Sequence, residues 1–384
     1  MGVAARNESG RLPHVTARAR GATNDPVSVF VPDELLIERG CEDAAIVRRC
    51  RARAPSLPVR VIDDRRELQG GDFAAAKRRL LLAPRRGAFL EHCPAGTRGL
   101  ACCNYLVLTF ASNCPMDCRY CFLQDYLADT PALTAYVNPE VALAEVGRLL
   151  DGHPERQFRI GTGELADSLA LDPLTGLSRE LVPFFAARPN ALLELKTKTD
   201  SVDDLLTLDP RERVVVSWSL APASAVHLAE HGTAPVAARL AAMRRVVDAG
   251  YKVGVHFDPL LEHDGWEEGY RDLVHAVAAA VPASRLAWIS FGALRLSPGL
   301  RTVMRRRFPG TPLLAGEQVP GVDGKWRDFQ PLRVAMYRAL RRFVTAALPA
   351  VPLYLCMETP DVWERVFGTA PLREQALGAM LAAR

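Results

Sequence analysis

The chain has 384 residues, 49% hydrophobic and 24% charged, with a formal net charge of +4. Those proportions exclude a collagen-like fibre and a wholly disordered chain, and leave room for a large core plus a smaller second module. No apolar run approaches the roughly 18 residues needed to span a bilayer. Nine cysteines, an odd number without the apolar core of a signal peptide ahead of them, argue for reduced thiols and a cytoplasmic location. Charge is lopsided: residues 1–100 carry 18 Lys and Arg against 12 Asp and Glu. A basic first third suits a polyanion or a solvated arginine-rich surface equally well.

In chain order, residues 1–24 are rich in Gly, Arg, Ser and Asn without an apolar period, and read as a disordered leader. Residues 25–99 read as a small N-terminal α/β domain. Its elements are a strand at Val27–Val31, a helix over Glu34–Ala54, a second strand at Val59–Ile62, and a basic helix over Phe73–Leu82 followed by the loop Pro84–Gly99.

From residue 100 to 384 the rhythm changes to apolar β-rich runs, most followed by a helical segment. They fall at Tyr105–Phe110, Gln157–Ile160, Ala191–Leu195, Arg213–Leu220, Lys252–Phe257, Leu286–Leu294 and Val351–Cys356. Alternating strands and helices imply a parallel sheet buried on both faces, here a partial (β/α)6-type barrel with a C-terminal extension. In such barrels the chemistry sits where strands end. The predicted ends carry Cys114, then Thr162 and Glu164, Lys196 and Lys198, Ser217 and Ser219, His256 and Asp258, Arg295, and Cys356 and Glu358. His256 reads as a core histidine bonded to a carbonyl or as a substrate contact. Arg305–Arg307 read as a solvated helix face or a phosphate contact.

Cys114, Cys118 and Cys121 form Cys-x-x-x-Cys-x-x-Cys after the first barrel strand. Three thiolates on one short loop can grip three irons of a 4Fe-4S cluster and leave the fourth open to a ligand. The rival is zinc, with Cys102 or Cys103 as fourth thiolate; on that reading the protein is a non-catalytic nucleic-acid binder whose basic first third is the binding face.

The three-cysteine loop resembles that of radical S-adenosylmethionine enzymes. With the Phe-Leu-Gln after Cys121, the stretch from Arg159 to Ser168, Lys196-Thr-Lys198, Val215 to Leu220 and Gly254 to Pro259, the chain after residue 25 is similar to the spore photoproduct lyase family. The resemblance implies a 4Fe-4S cluster on Cys114, Cys118 and Cys121, and reductive cleavage of S-adenosyl-L-methionine to a 5′-deoxyadenosyl radical. It implies cofactor contacts from Glu164, Lys198 and Ser219, hydrogen relay by Tyr120, an electron donor such as flavodoxin or ferredoxin, and DNA carrying a pyrimidine photoproduct as substrate. Two positions depart from the family: Phe122 replaces a tyrosine, and Thr162 stands where the hydrogen-donating cysteine is expected. Cys356 is then the candidate donor.

Overall fold

The computed structural model describes residues 30–93, 99–101, 103–372 and 374–383. Seven parallel strands, Leu106–Leu108, Phe158–Gly161, Ala191–Thr197, Val214–Ser219, Lys252–Leu260, Leu286–Ala293 and Leu353–Leu355, pair in chain order into one sheet. A short antiparallel strand, Leu90–His92, edges the first of them inside the predicted loop. Every residue of the fourth and sixth strands is buried, the mark of a sheet covered on both faces. The helices Val236–Asp248, Trp266–Ala280 and Gln330–Ala347 bury one apolar face each against it. Helices start where chemistry favours it: Ser297 and Thr359 cap the N–H groups of Leu300 and Val362, each with a proline next in line.

The sheet curls strongly. Arg159 on the second strand donates from Nη2 to the Tyr354 hydroxyl on the seventh, 3.0 Å away, although five pairing steps separate them. A polar layer fills the interior. Arg159 holds Glu194 Oε2 through Nε at 3.1 Å and Nη2 at 2.7 Å, and stacks 4.2 Å over Trp288. Glu194 Oε1 accepts from Ser217 and from His256 Nε2, both at 2.7 Å. His256 Nδ1 accepts from the Ser290 hydroxyl at 2.6 Å. The core reading of His256 therefore holds, with a carboxylate and a hydroxyl as partners.

Burial, aided by Lys196, pushes the His256 pKa down to about 4 against the attraction of Glu194. The imidazole is neutral in the fold, with Nε2–H donating. As pH falls below 6.5 the unfolded chain takes up a proton the folded one refuses, so stability present at neutral pH is lost down to about pH 4, by at most ~3 kcal/mol. Urea unfolding at pH 7 and pH 4.5 should show this loss in the wild type and a smaller one in His256→Asn; equal losses would remove His256 as the cause.

The amino-terminal region departs from expectation. Val27–Val29 lie outside the described residues and no strand runs through Phe30–Val31; the first strand is Glu34–Glu38, followed by a helix over Ala45–Arg53. Likewise Phe73–Leu82 is not one helix: Phe73–Ala76 is a single turn, and Arg79–Ala83 is a strand. Short apolar triplets fit either period, and here burial decided. Leu35, Ile37, Leu80 and Leu82 form a core with Leu133 and Ala135 from beyond the first barrel strand. The small sheet accordingly recruits Leu133–Tyr136, parallel to Arg79–Ala83, and Ala111–Ser112. Two of its five strands thus come from after residue 99, and the two sheets interleave in the chain. The predicted leader lies outside the described residues.

Candidate functional site

The cysteine loop leaves the first barrel strand and crosses the edge of the small sheet. Asn113, fully buried with φ +68°, makes the turn; its amide donates to Pro131 O at 2.7 Å and accepts from the Cys114 N–H at 2.8 Å. Asparagine tolerates the left-handed region because its short side chain bonds locally. Three further anchors hold the loop. Asp117 and Arg119 N–H bond His231 O and Ala229 O, both at 2.8 Å. Gln124 Nε2 bonds the carbonyls of Cys118 and Arg119. Lys77 Nζ bonds Met116 O at 2.6 Å. Arg307 grips Asp117 at 2.9 Å and also Gln124, so of the Arg305–Arg307 run this residue buttresses the loop.

Cys114 and Cys121 border two apolar clusters on either side of the loop, and Cys118 lies in one of them. Burial pushes the Cys114 thiol up to about 12 and raises Cys118 and Cys121 as well, while Lys77 and Lys198 pull down. Thiols that give up protons only in the presence of a cation suit a metal centre. Among the described residues, no three His, Cys, Asp or Glu side chains enclose a single metal ion. The fourth thiolate of the zinc reading finds no support from Cys103, which neighbours Arg159, Tyr354 and Cys356 instead, and Cys102 lies outside the described residues. In the basic first third, Arg39, Arg60, Arg65 and Arg86 pair with carboxylates of that same third, while Arg49 and Arg53 pair with Glu180 and Asp204 beyond it.

Beside the loop stand three of the predicted residues. Lys198, at the end of the third strand, lies 3.0 Å from the Tyr120 hydroxyl and 3.1 Å from Glu230 Oε1. Tyr120 in turn donates to Glu230. Ser219 ends the fourth strand, and its carbonyl accepts from Arg239 Nη1 at 2.8 Å. Glu230 and Arg239 had no motif to reveal them. Nor did Asp167, which is half-buried at the same rim and accepts from Thr197 Oγ1 and from the N–H groups of Lys198, Leu169 and Ala170.

Glu164 and Cys356 lie elsewhere on the rim. Burial raises the Glu164 carboxyl, and Lys196 and Arg295 oppose it; Asp258 and Lys325 also face it. Both oxygens of Asp258 accept from Arg295 Nη2, at 2.8 and 2.9 Å, and Arg295 Nη1 also bonds Cys356 O at 3.1 Å. Burial and Asp258 push the Cys356 thiol far up, so its S–H is retained. The Thr162 hydroxyl is committed to Ser168 Oγ at 2.7 Å. Phe122 is exposed and its ring leans on Tyr126. The rim thus divides into a half with the cysteine loop, Tyr120, Lys198 and Ser219, and a half with Glu164, Lys196, Asp258, Arg295 and Cys356.

A curled parallel sheet with a three-cysteine loop after its first strand defines the fold of the radical S-adenosylmethionine class. Within that class the chain belongs to the spore photoproduct lyase family, whose profile matches residues 64–328. It is 29% identical over 208 residues to the spore photoproduct lyase of Geobacillus sp. (strain Y412MC61), covering 54% of this chain and 61% of that protein. It is 28% identical over 213 residues to that of Bacillus subtilis (strain 168), covering 55% and 62%. The matched stretches thus span about three fifths of those relatives. A solved spore photoproduct lyase variant with bound AdoMet and dinucleoside spore photoproduct superposes with a TM-score of 0.76 at 23% identity, covering 86% of this chain and all of the other. The lyase complexed with dinucleoside spore photoproduct gives the same score over 85%. Among the described residues no helix is long and apolar enough to cross a membrane.

Proposed function

We propose that this protein is a radical S-adenosylmethionine enzyme acting on a pyrimidine photoproduct of DNA. The observation that supports the reading is the rim itself: three free thiols on one short loop with Lys198 beside it, and elsewhere on the rim a cysteine that keeps its proton. Cys114, Cys118 and Cys121 would each hold one iron of a 4Fe-4S cluster. When bound, cluster and S-adenosylmethionine supply a 5′-deoxyadenosyl radical, which takes a hydrogen atom from the substrate.

The chain's own residues orient and terminate that chemistry. Lys198 presents an ammonium to the methionine carboxylate; burial would lower its pKa, but Glu230 beside it keeps it charged. Ser219 offers a hydroxyl, and Glu164 a carboxylate for the methionine ammonium. Cys356 would give its S–H hydrogen atom to the product radical and become a thiyl radical; relay of a hydrogen atom from Tyr120 O–H would return the thiol and leave a phenoxyl radical, which one further electron from an external carrier and a proton would restore. The Thr162 O–H bond is too strong for that service. The reducing equivalent comes from a one-electron carrier such as flavodoxin or ferredoxin, in a reducing cytoplasm.

The test uses protein reconstituted without oxygen, reduced, and given S-adenosylmethionine and dinucleoside spore photoproduct. Release of 5′-deoxyadenosine together with conversion to two thymidines is the expected result. Release of 5′-deoxyadenosine without conversion would reject the photoproduct as substrate, and no release would reject the radical reading.

A further inference from the structure

Glu230 is 7% exposed and sits at the centre of the cofactor half of the rim. Its Oε1 faces Lys198 Nζ at 3.1 Å and takes the Tyr120 proton in a hydrogen bond; its Oε2 faces Arg239 Nη2 at 2.7 Å. Arg239, with no exposure at all, spends its other donors on Ser219 O, Ala234 O and Thr233 Oγ1. The backbone closes the ring, with Ala234 N–H bonding Lys198 O at 3.0 Å. One buried ion pair therefore ties together the cysteine-loop tyrosine, the third strand and the fourth strand.

We propose that Glu230 is a positioning residue that aims Lys198 at the carboxylate of the bound cofactor. A lysine ammonium has three donors and a freely turning tip. Glu230 takes one N–H and the Tyr120 oxygen takes another, so the direction of the third is set before anything binds. Glu230 is no mobile competitor for Lys198: burial would raise its carboxyl, but Lys198 and Arg239 hold it at about 2, and Arg239 is itself clamped to backbone on two sides. Without the carboxylate, two buried cations would face one another, and Lys198 could relieve the repulsion only by turning away or shedding its charge.

The inference rests on Lys198 meeting the cofactor, and a double-mutant cycle separates the two ideas. Binding of S-adenosylhomocysteine to cluster-loaded protein is measured by calorimetry for the wild type, Glu230→Gln, Lys198→Met and the double variant, with melting curves checking each fold. Glu230→Gln should weaken binding by about 10- to 100-fold, by analogy with the loss of a hydrogen-bonded partner behind a metal ligand. In the Lys198→Met background the same change should cost less than about twofold, because the residue it acts through is gone. Glu230→Asp keeps the charge beside Arg239 but retracts from Lys198 and Tyr120; it should show the same pattern in smaller measure, and it decides the matter should the glutamine variant not fold. Equal losses in both backgrounds, or binding that tightens or stays unchanged in Glu230→Gln, would overturn the inference while leaving the cofactor reading intact. If the wild type binds no S-adenosylhomocysteine, the reading of Lys198 falls and takes the inference with it.

Discussion

Cys118→Ala protein, prepared and reconstituted without oxygen, should lose the bulk of the about four irons expected per chain for a 4Fe-4S cluster, and should release no 5′-deoxyadenosine above background. Its fold should survive. The side chain lies in a small cluster with Met116, Ala170, Tyr120 and its fellow cysteines, and the loop backbone is held by Gln124, Lys77 and the Ala229 and His231 carbonyls whether or not the sulfur is present. Trimming one buried thiol to a methyl group costs on the order of 1 kcal/mol, far less than the loss of a metal ligand. Iron by metal analysis, the visible charge-transfer absorption and a melting curve make the measurement. Full iron retention would move the ligand set elsewhere, and stoichiometric zinc without iron in the wild type would restore the zinc reading.

Cys356→Ala should uncouple the two halves of the reaction. The variant leaves the cysteine loop, Tyr120, Lys198 and Ser219 untouched, so 5′-deoxyadenosine should form within about twofold of the wild-type rate, while conversion of the photoproduct falls to background; a step-specific loss of this kind marks a group used after substrate activation. Adding Thr162→Cys to Cys356→Ala restores a thiol at the rim of the second strand, where the family resemblance places the donor. Its cost is the 2.7 Å hydrogen bond to Ser168, about 0.5–1.5 kcal/mol. Partial recovery of conversion would show that the reaction needs a thiol and tolerates its position. Undiminished conversion by Cys356→Ala would instead remove this cysteine from the chemistry. Chromatography of both products from one reaction mixture decides between these outcomes.

Much of this site could be read along the chain because its parts are local. Three cysteines within eight residues lie on one loop in any fold that keeps them, and seven β-rich runs at helix-length intervals leave a parallel sheet as the economical arrangement. The misreadings have the same local origin. Leu35 to Ile37 and Leu80 to Leu82 are three-residue apolar runs that suit a helix or a strand; pairing with each other, and of the second with Leu133–Tyr136 about fifty residues further on, made strands of both.

What the sequence by itself determined is the alternation of strands and helices, the cysteine loop and the polar character of the strand ends, since each depends on spacing within one element. Only the tertiary structure decided which of those ends work together. Curling of the sheet carries Arg159 to Tyr354 and takes Glu194 and His256 into the interior. It also brings Glu230, 110 residues from Tyr120 in the chain, into hydrogen-bonding contact with that phenol. Such meetings depend on how twist and packing close the barrel, and no periodicity within a single element records them.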